Sequence, residues 1–214
     1  MNNIPLNCPI SLLNEAAWLL QHMKGIIFMT IDRRIARTRK ALNETLAELL
    51  LSKDLDHISI RELTEKADVS RSTFYMHYTD IYDLYDHLEN DFFSEISRIL
   101  VTSESHDYHE IDEALLDYLA ENAVICRSFL RNDAGGFHNK LAAFIEDRYN
   151  QIVLYEMNAD KLSEGWQYLS RYAIGGYVHV ISMWLDSDMG YPKEKLLQML
   201  RDIDDVIDPL YDQY

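Results

Sequence analysis

The run SRSTFYMHY, residues 70–78, crowds hydrogen-bonding side chains into about two and a half helical turns. Residues 70–73 carry short or flexible donors, and such donors suit DNA phosphates and base edges. An arginine can bind guanine through two parallel hydrogen bonds, which makes Arg71 the candidate for base recognition. The hydroxyl of Tyr75 and the imidazole of His77 fit contacts to phosphate. The run therefore predicts a nucleic-acid interface at the start of a short helix.

Catalytic and metal chemistry are less well supported by the sequence. We find no Ser/His/Asp, Cys/His, paired-carboxylate or phosphate-loop pattern, so we expect neither an enzyme nor a cofactor. The run HDYH, with His106 and His109 beside acidic residues, has the spacing of one helical face and leaves a metal site open. No further Cys or His is tied to it, so a polar loop between helices is the favoured interpretation and no metal is expected.

Two short helices are predicted to position the 70–78 run. The segment SIRELTEKA has the spacing of a capping box and predicts a helix over 59–66. The residues DVS then form a tight turn, and a second helix is expected over 70–78 with Phe74 facing inward. Two helices joined in this way make a helix-turn-helix, whose second helix enters the DNA major groove.

The charge distribution supports this interpretation, although the whole chain carries −16. Residues 30–78 contain nine basic and eight acidic side chains, a net charge of +1, and so the remainder carries −17. The basic run at Arg33, Arg34, Arg37 and Arg39 is expected to grip the DNA backbone, unless it is only a solvated helix face. A near-neutral module with a basic front end is thus predicted on an acidic body.

The rest of the chain also has helical patterns. Seven Gly and four Pro among 214 residues leave little room for a turn-rich β architecture. We predict an all-α fold of about nine helices, in which a long fourth helix over 80–103 precedes further helices up to one that begins at Pro192. The two cysteines, Cys8 and Cys126, make no disulfide framework, so a reducing cytoplasm is expected.

The N-terminal extension, residues 1–28, is treated separately. It has no basic start and no small-residue cleavage site, and it is too short and interrupted to span a bilayer, so no membrane contact is expected. We hypothesise that Met29 is the natural start, because the chain begins again at MTIDRRIARTRKAL. A genuine extra N-terminal helix is the alternative.

Residues 38–88, TRKALNETLAELLLSKDLDHISIRELTEKADVSRSTFYMHYTDIYDLYDHL, resemble the TetR/AcrR family of bacterial transcriptional regulators. The resemblance implies a three-helix helix-turn-helix DNA-binding domain over 29–79 and a helical effector-binding and dimerisation domain over 80–214. The segment GGYVHVISMWLDSDMGYPKEKLLQML also looks like the C-terminal domain of one AcrR-like subgroup. Some members of that subgroup lie beside dihydroxyacetone kinase genes.

The resemblance implies a homodimeric, ligand-responsive repressor of a palindromic double-stranded DNA operator, with an unknown small-molecule effector. The alternative is a co-regulator or activator of the same fold that acts mainly through protein partners. The family often has a phosphate-holding Lys at the second position of the fourth helix, where this chain has Ile81, so that contact is in doubt.

Three sets of site residues follow from these patterns and from the resemblance. The DNA-binding candidates are Arg33, Arg37, Ser59, Ser70, Arg71, Ser72, Thr73, Tyr75, His77 and Tyr78. The candidates for the effector pocket are Phe129, Phe144, Tyr149, Trp166 and Tyr172. The candidates for a dimer interface, formed by the last two helices of each chain, are Gly176, Val180, Met183, Trp184, Met199 and Ile203.

Overall fold

The structure, a computed structural model, describes residues 33–102, 108–131, 136–211 and 213. These residues form nine α-helices and no strand, which agrees with the predicted all-α fold. The helices are α1 (Arg33–Leu50), α2 (Ile60–Lys66), α3 (Arg71–Tyr75), α4 (Ile81–Thr102), α5 (Tyr108–Glu121), α6 (Ala123–Arg131), α7 (Phe137–Glu156), α8 (Glu164–Asp186) and α9 (Lys193–Tyr211). A 3-10 helix, Leu55–His57, lies between α1 and α2. The proposed N-terminal extension, residues 1–28, lies outside the described residues.

The chain divides by its contacts into two units, residues 1–41 and 42–214. Within the first unit, description begins at Arg33 and covers the first half of α1, where Arg37 is exposed. The second unit contains the rest of α1 and all the helices that follow. The predicted domain boundary between residues 79 and 80 lies inside this second unit and stays a prediction.

The first helices of the second unit pack around apolar side chains at helical spacing. Leu46 and Leu50 of α1, Leu63 of α2 and Phe74 of α3 are all fully buried. Leu84, one turn into α4, is equally buried and belongs to the same apolar cluster. The second half of α1, the two short helices α2 and α3, and the start of α4 are therefore held together by a common core.

The remaining helices continue that core. α5 packs against α4, α6 and α9, while α8 packs against α6, α7 and α9. Aromatic rings fill the centre, where Phe129 stacks on Phe137 with ring centroids 4.8 Å apart and contacts Phe92 at 5.5 Å. Within the described ranges, none of the helices has the length and apolarity that crossing a bilayer requires.

Two boundaries differ from those predicted. The helix expected over 70–78 ends at Tyr75, because Met76 is its C-cap and residues 76–77 form a turn. The last helix begins at Lys193, directly after Pro192. Gly136 lies directly before α7 and has a φ of 73°, in the left-handed region that favours glycine.

Candidate nucleic-acid interface and body cavity

Serine caps define the helix-turn-helix. The side chain of Ser59 accepts a hydrogen bond from the backbone N–H of Glu62 at 3.1 Å, and Ser70 accepts one from Thr73 at 3.1 Å. Each cap satisfies a backbone donor that the first helical turn leaves free. The turn between the two helices passes through Asp68, whose φ of 53° is left-handed, a conformation that Asp tolerates better than most residues. Local sequence signals therefore place α3 after a tight turn.

α3 is anchored from one side and open on the other. Phe74 is fully buried, and its ring lies 5.6 Å from the ring of Tyr78. Arg71 and Ser72 are exposed, and Tyr75 keeps 58% of its surface accessible. The helix thus presents polar side chains to solvent while its phenylalanine holds it against the core.

The polar side chains of α3 include a small hydroxyl cluster. The Ser70 hydroxyl lies 2.9 Å from that of Ser72 and 2.8 Å from that of Thr73. His77 is half-buried beside the ring of Tyr78. The side chain of Arg71 makes no hydrogen bond or ion pair with any described residue. The guanidinium of Arg71 is therefore available to an outside partner.

Tyr78 requires a correction. It was predicted to bind DNA, but only 4% of its surface is exposed and its ring packs on Phe74 and on His87, the latter at 5.5 Å. Its hydroxyl is buried without a hydrogen-bond partner among the described residues. Tyr78 is thus a core residue that fixes the end of α3 against α4.

The sequence interpretation missed Met76, which is 78% exposed at the C-terminal end of α3. No role was assigned to this residue from the sequence. The available signal was its position two residues from both Phe74 and Tyr78, because inward-facing residues of a helical turn recur every three or four positions. Met76 therefore projects from the same exposed tip as Tyr75.

The start of α4 explains why Ile81 stands where the family that the sequence resembles often has a phosphate-holding lysine. The carboxylate of Asp80 accepts hydrogen bonds from the backbone N–H groups of Tyr82 and Asp83, both at 2.9 Å, and so caps the helix. Ile81 is buried in the common core. An isoleucine here stabilises packing and offers no cation to a phosphate.

The structure describes only part of the basic run that was predicted to contact the DNA backbone. Arg37 is exposed on α1, whereas the side chain of Arg33 lies outside the described part of the chain.

The possible metal site at HDYH is not described either, since His106 and the side chain of His109 also lie outside the described part of the chain. Among the described residues, no group of three or more His, Cys, Asp or Glu side chains could hold a metal ion.

A cavity of about 270 Å³ opens within the helical body, between α4, α5, α7, α8 and α9. Apolar side chains, among them Leu100, Ile111 and Ile152, form much of its wall. Tyr149 lines it, as predicted for the effector pocket. Four aspartates and two further tyrosines also line it: Asp112, Asp204, Asp205, Asp208, Tyr177 and Tyr211.

Four residues predicted for the effector pocket do not line this cavity. Phe129 is fully buried in the aromatic core, and Phe144 packs on Phe93 with ring centroids 4.9 Å apart. The ring of Trp166 lies tilted against that of Tyr211, with centroids 4.2 Å apart, and only Tyr211 of this pair lines the cavity. Tyr172 is 76% exposed on the outside of α8. Aromatic residue type alone could not separate these positions from the cavity wall.

The candidates for a dimer interface fall into three groups by exposure. Trp184 belongs to the core, because it is 4% exposed and its indole N–H donates to the backbone carbonyl of Tyr191 at 2.8 Å; its assignment to a surface interface is corrected. Met199 and Val180 are half-buried against the core. By contrast, Met183, Ile203 and Gly176 are exposed.

Parts of the sequence are similar to those of known transcriptional regulators. Residues 106–204 match the TetR family model described as the C-terminal region of transcriptional regulators. The HTH-type transcriptional regulator YxbF of Bacillus subtilis (strain 168) is 34% identical over 85 residues. That alignment covers 39% of this chain and 22% of the relative, so the chain spans about a fifth of the relative's length.

Two solved structures have a similar fold. One is the dihydroxyacetone kinase operon activator DhaS, with a TM-score of 0.58 and 19% identity over 83% of this chain and 97% of that one. The other is a TetR transcriptional regulator from Streptococcus agalactiae 2603V, with a TM-score of 0.52 and 18% identity over 79% and 96% of the two chains. At these identities the likeness shows the fold.

Proposed function

The chain belongs to the TetR family of transcriptional regulators, and from this premise we propose that it is a ligand-responsive repressor that binds a palindromic DNA operator as a homodimer in the cytoplasm. The observation that carries the proposal is the exposed polar tip of α3, backed by the fully buried Phe74. A recognition helix needs this arrangement, since it must enter a groove while it stays rigidly attached to its domain.

The residues of α3, its caps and the turn that follows it fit distinct contacts with a duplex. Arg71 is proposed to read guanine through a bidentate hydrogen bond. Tyr75 and His77 are proposed to bind phosphates, which orient the helix without reading sequence. The thioether side chain of Met76 suits apolar contact with a thymine methyl group. Ser70, Ser72 and Thr73 supply hydroxyl donors beside them.

A homodimer is supported by apolar side chains left exposed on the last two helices. Met183 of α8 is 69% exposed and Val206 of α9 is 70% exposed, and α8 packs directly against α9. At Gly176, an added Cβ would meet nothing of the chain itself within 4 Å, so a second helix could approach closely there. A two-fold interface would place two recognition helices about 34–36 Å apart, one turn of DNA.

Ligand control is proposed to act through α4, which is 22 residues or about 33 Å long. Its first turns hold the helix-turn-helix, since the hydroxyl of Tyr82 donates to Asp56 at 3.0 Å and His87 contacts Tyr78. Near its other end, Leu100 lines the body cavity. A ligand that binds more tightly to one position of α4 shifts the protein toward that position, and so changes the spacing of the recognition helices.

Gel shift with the promoter of its own or a neighbouring gene tests the proposal. Arg71→Ala should lose about 1–3 kcal/mol of operator affinity and relax selectivity at one base pair. The matched control is Arg61→Ala, because Arg61 is also exposed but pairs with Glu65 on α2 at 2.8 Å. Equal affinity and selectivity for Arg71→Ala and the unaltered protein would refute the assignment.

A second candidate is an activator or co-regulator that acts mainly through protein partners. It is favoured by the burial of Ile81, which removes a phosphate contact, and by the net charge of −16. One protein of similar fold is named as an operon activator. Failure of the unaltered protein to shift any promoter fragment, together with capture of a transcription-machinery protein, would favour this candidate.

A further inference from the structure

We propose that the body cavity binds an organic cation, a ligand with an apolar body and an ammonium group. The proposal rests on the proposed function in one respect: the cation would be the effector that controls operator binding. The proposal follows from the chemistry of the cavity wall, which combines apolar side chains with carboxylates and phenol rings.

The least exposed aspartate of the wall is Asp112, which is 9% exposed. It accepts a hydrogen bond from the hydroxyl of Tyr177 at 2.7 Å. Burial raises the pKa of Tyr177 well above its ordinary value, and the neighbouring Asp112 raises it further, so the phenol stays neutral and remains a donor. A buried carboxylate in a largely apolar cavity gains most from a cationic partner, since few water molecules can solvate it there.

The side of the cavity formed by α9 adds further carboxylates to that of Asp112. Asp204 and Asp208 lie one helical turn apart and both line the cavity. Burial, with the charges of Asp208 and Asp204, raises the pKa of Tyr211 to about 12, which indicates that their negative potential reaches this part of the wall. The rings of Tyr211 and Tyr149 lie 6.4 Å apart and could face an ammonium group with their electron-rich surfaces.

The described wall offers little to an anion. None of its described residues is a lysine, arginine or histidine. The nearest arginine in the sequence of α7, Arg148, is not part of the wall, because its guanidinium donates to Gln151 at 3.3 Å and lies over the ring of Phe144. The ligand's apolar body would pack against side chains such as Ile145 and Ile174. Together these features select for positive charge as well as for apolar area.

Calorimetric titration with three probes that share one phenylalkyl body tests the charge preference. We expect phenylbutylammonium to bind at least about tenfold more tightly than phenylbutanol, and phenylbutyrate to bind more weakly still, because only the cation pairs with a buried carboxylate. Equal or tighter binding of the alcohol or of phenylbutyrate would overturn the proposal, and so would the failure of all three probes to bind.

Substitutions then locate the site. Asp112→Asn preserves shape and can still accept the Tyr177 hydrogen bond, and it should remove most of the preference for the cation over the alcohol. Asp202→Asn is the matched control on α9, because Asp202 bonds Gln198 at 2.8 Å and does not line the cavity. If Asp112→Asn does not fold, as judged by its helical circular dichroism, the double variant Asp204→Asn/Asp208→Asn should show the same loss. A cation preference that survives in the folded variants would place binding elsewhere.

Operator binding is measured separately and without any probe. A protein that shifts its promoter but ignores phenylbutylammonium contradicts the cavity proposal alone. A protein that binds the cation through Asp112 but shifts no promoter contradicts the proposed function alone. Release of the operator by phenylbutylammonium, lost in Asp112→Asn, would support both.

Discussion

Phe74 in α3 and Met76 at its C-cap lie two residues apart, yet the first is fully buried and the second is 78% exposed. A spacing of two residues turns a helical side chain by about 200°, so the two side chains point in nearly opposite directions. The buried ring contributes to stability, while the exposed thioether is free for an outside partner. At this scale, neighbouring apolar residues have separate roles that only the helical geometry distinguishes.

Paired substitutions measure this difference. Phe74→Ala should lower the free energy of unfolding by about 3–5 kcal/mol, because it removes a fully buried ring and leaves a cavity. Met76→Ala should change it by no more than about 0.5 kcal/mol, since the side chain is mostly exposed. Urea unfolding followed by circular dichroism gives both values. Comparable losses in the two variants would contradict the burial described for α3.

At the scale of the element, α3 has five residues and is too short to be stable alone, so its cap and its packing must hold it. The cap at Ser70 also lies on the surface proposed to meet DNA. Stability and binding therefore depend on the same hydroxyl, and substitutions can separate the two.

Ser70→Ala removes the oxygen that accepts the Thr73 N–H at 3.1 Å, and it should lower the free energy of unfolding by about 1 kcal/mol. Ser70→Asp keeps a capping oxygen and should preserve stability, but its negative charge should abolish binding to DNA phosphates. Thermal melting and gel shift measure the two effects. The proposed interface would be wrong if Ser70→Asp bound DNA as tightly as the unaltered protein.

The helix-turn-helix could be predicted from the sequence because its signals are local. A capping serine and the residue three positions later, as at Ser59 and Glu62, lie within a single turn. The length of α3 could not be predicted as well, because Tyr78 fits a continued helix and a packed turn equally. Its burial depends on Phe74 and His87, and the contact with α4 comes from tertiary packing.

The faces of α8 could not be predicted from periodicity. Its sequence is apolar on nearly every side, so several stripes fit the helical repeat equally well. The structure buries Ser182 and Ser170, whose hydroxyls donate to carbonyls of their own helix at 2.7 and 3.3 Å. Serines satisfied in this way can enter a core, which leaves Tyr172 and Met183 outside.

At the scale of the whole molecule, buried acids of high pKa set the response to alkaline pH. Burial raises the pKa of Cys126 from 9.0 to about 12, and burial with two aspartates raises that of Tyr211 from 10.0 to about 12. The unfolded chain releases the Cys126 proton above pH 9.0 and the Tyr211 proton above pH 10.0, while the folded chain keeps both. Unfolding is then favoured, so stability from these groups is complete below pH 9.0 and is lost as pH rises toward 12.

Urea unfolding at pH values from about 8 to about 11 should therefore show a declining midpoint. Tyr211→Phe should make the decline above pH 10.0 shallower, because it removes one of the groups whose pKa is raised. Tyr191→Phe, at an exposed site, is the matched control and should leave the slope unchanged. A midpoint that stays constant over this range would contradict the burial of these groups.

Assembly is the last property of the whole molecule that the structure makes testable. Val206→Glu places a charge in the apolar surface proposed for the dimer, and two-fold symmetry brings the same charge from the second copy close to it. Burial of unpaired like charges should weaken the dimer at least about a hundredfold. Light scattering should then give the 25.1 kDa mass of one chain, with helical circular dichroism unchanged.

Val101→Glu is the matched control, since Val101 is 60% exposed but lies on α4, away from α8 and α9 in the sequence. It should leave the molecular mass of the assembly unchanged. If operator binding needs two recognition helices at fixed spacing, Val206→Glu should also lose most of its promoter affinity, because each monomer can grip only one half-site. A variant that stays dimeric would show that the exposed face of α9 does not assemble this regulator, and a monomer that binds the operator at full strength would show that operator binding does not need the dimer.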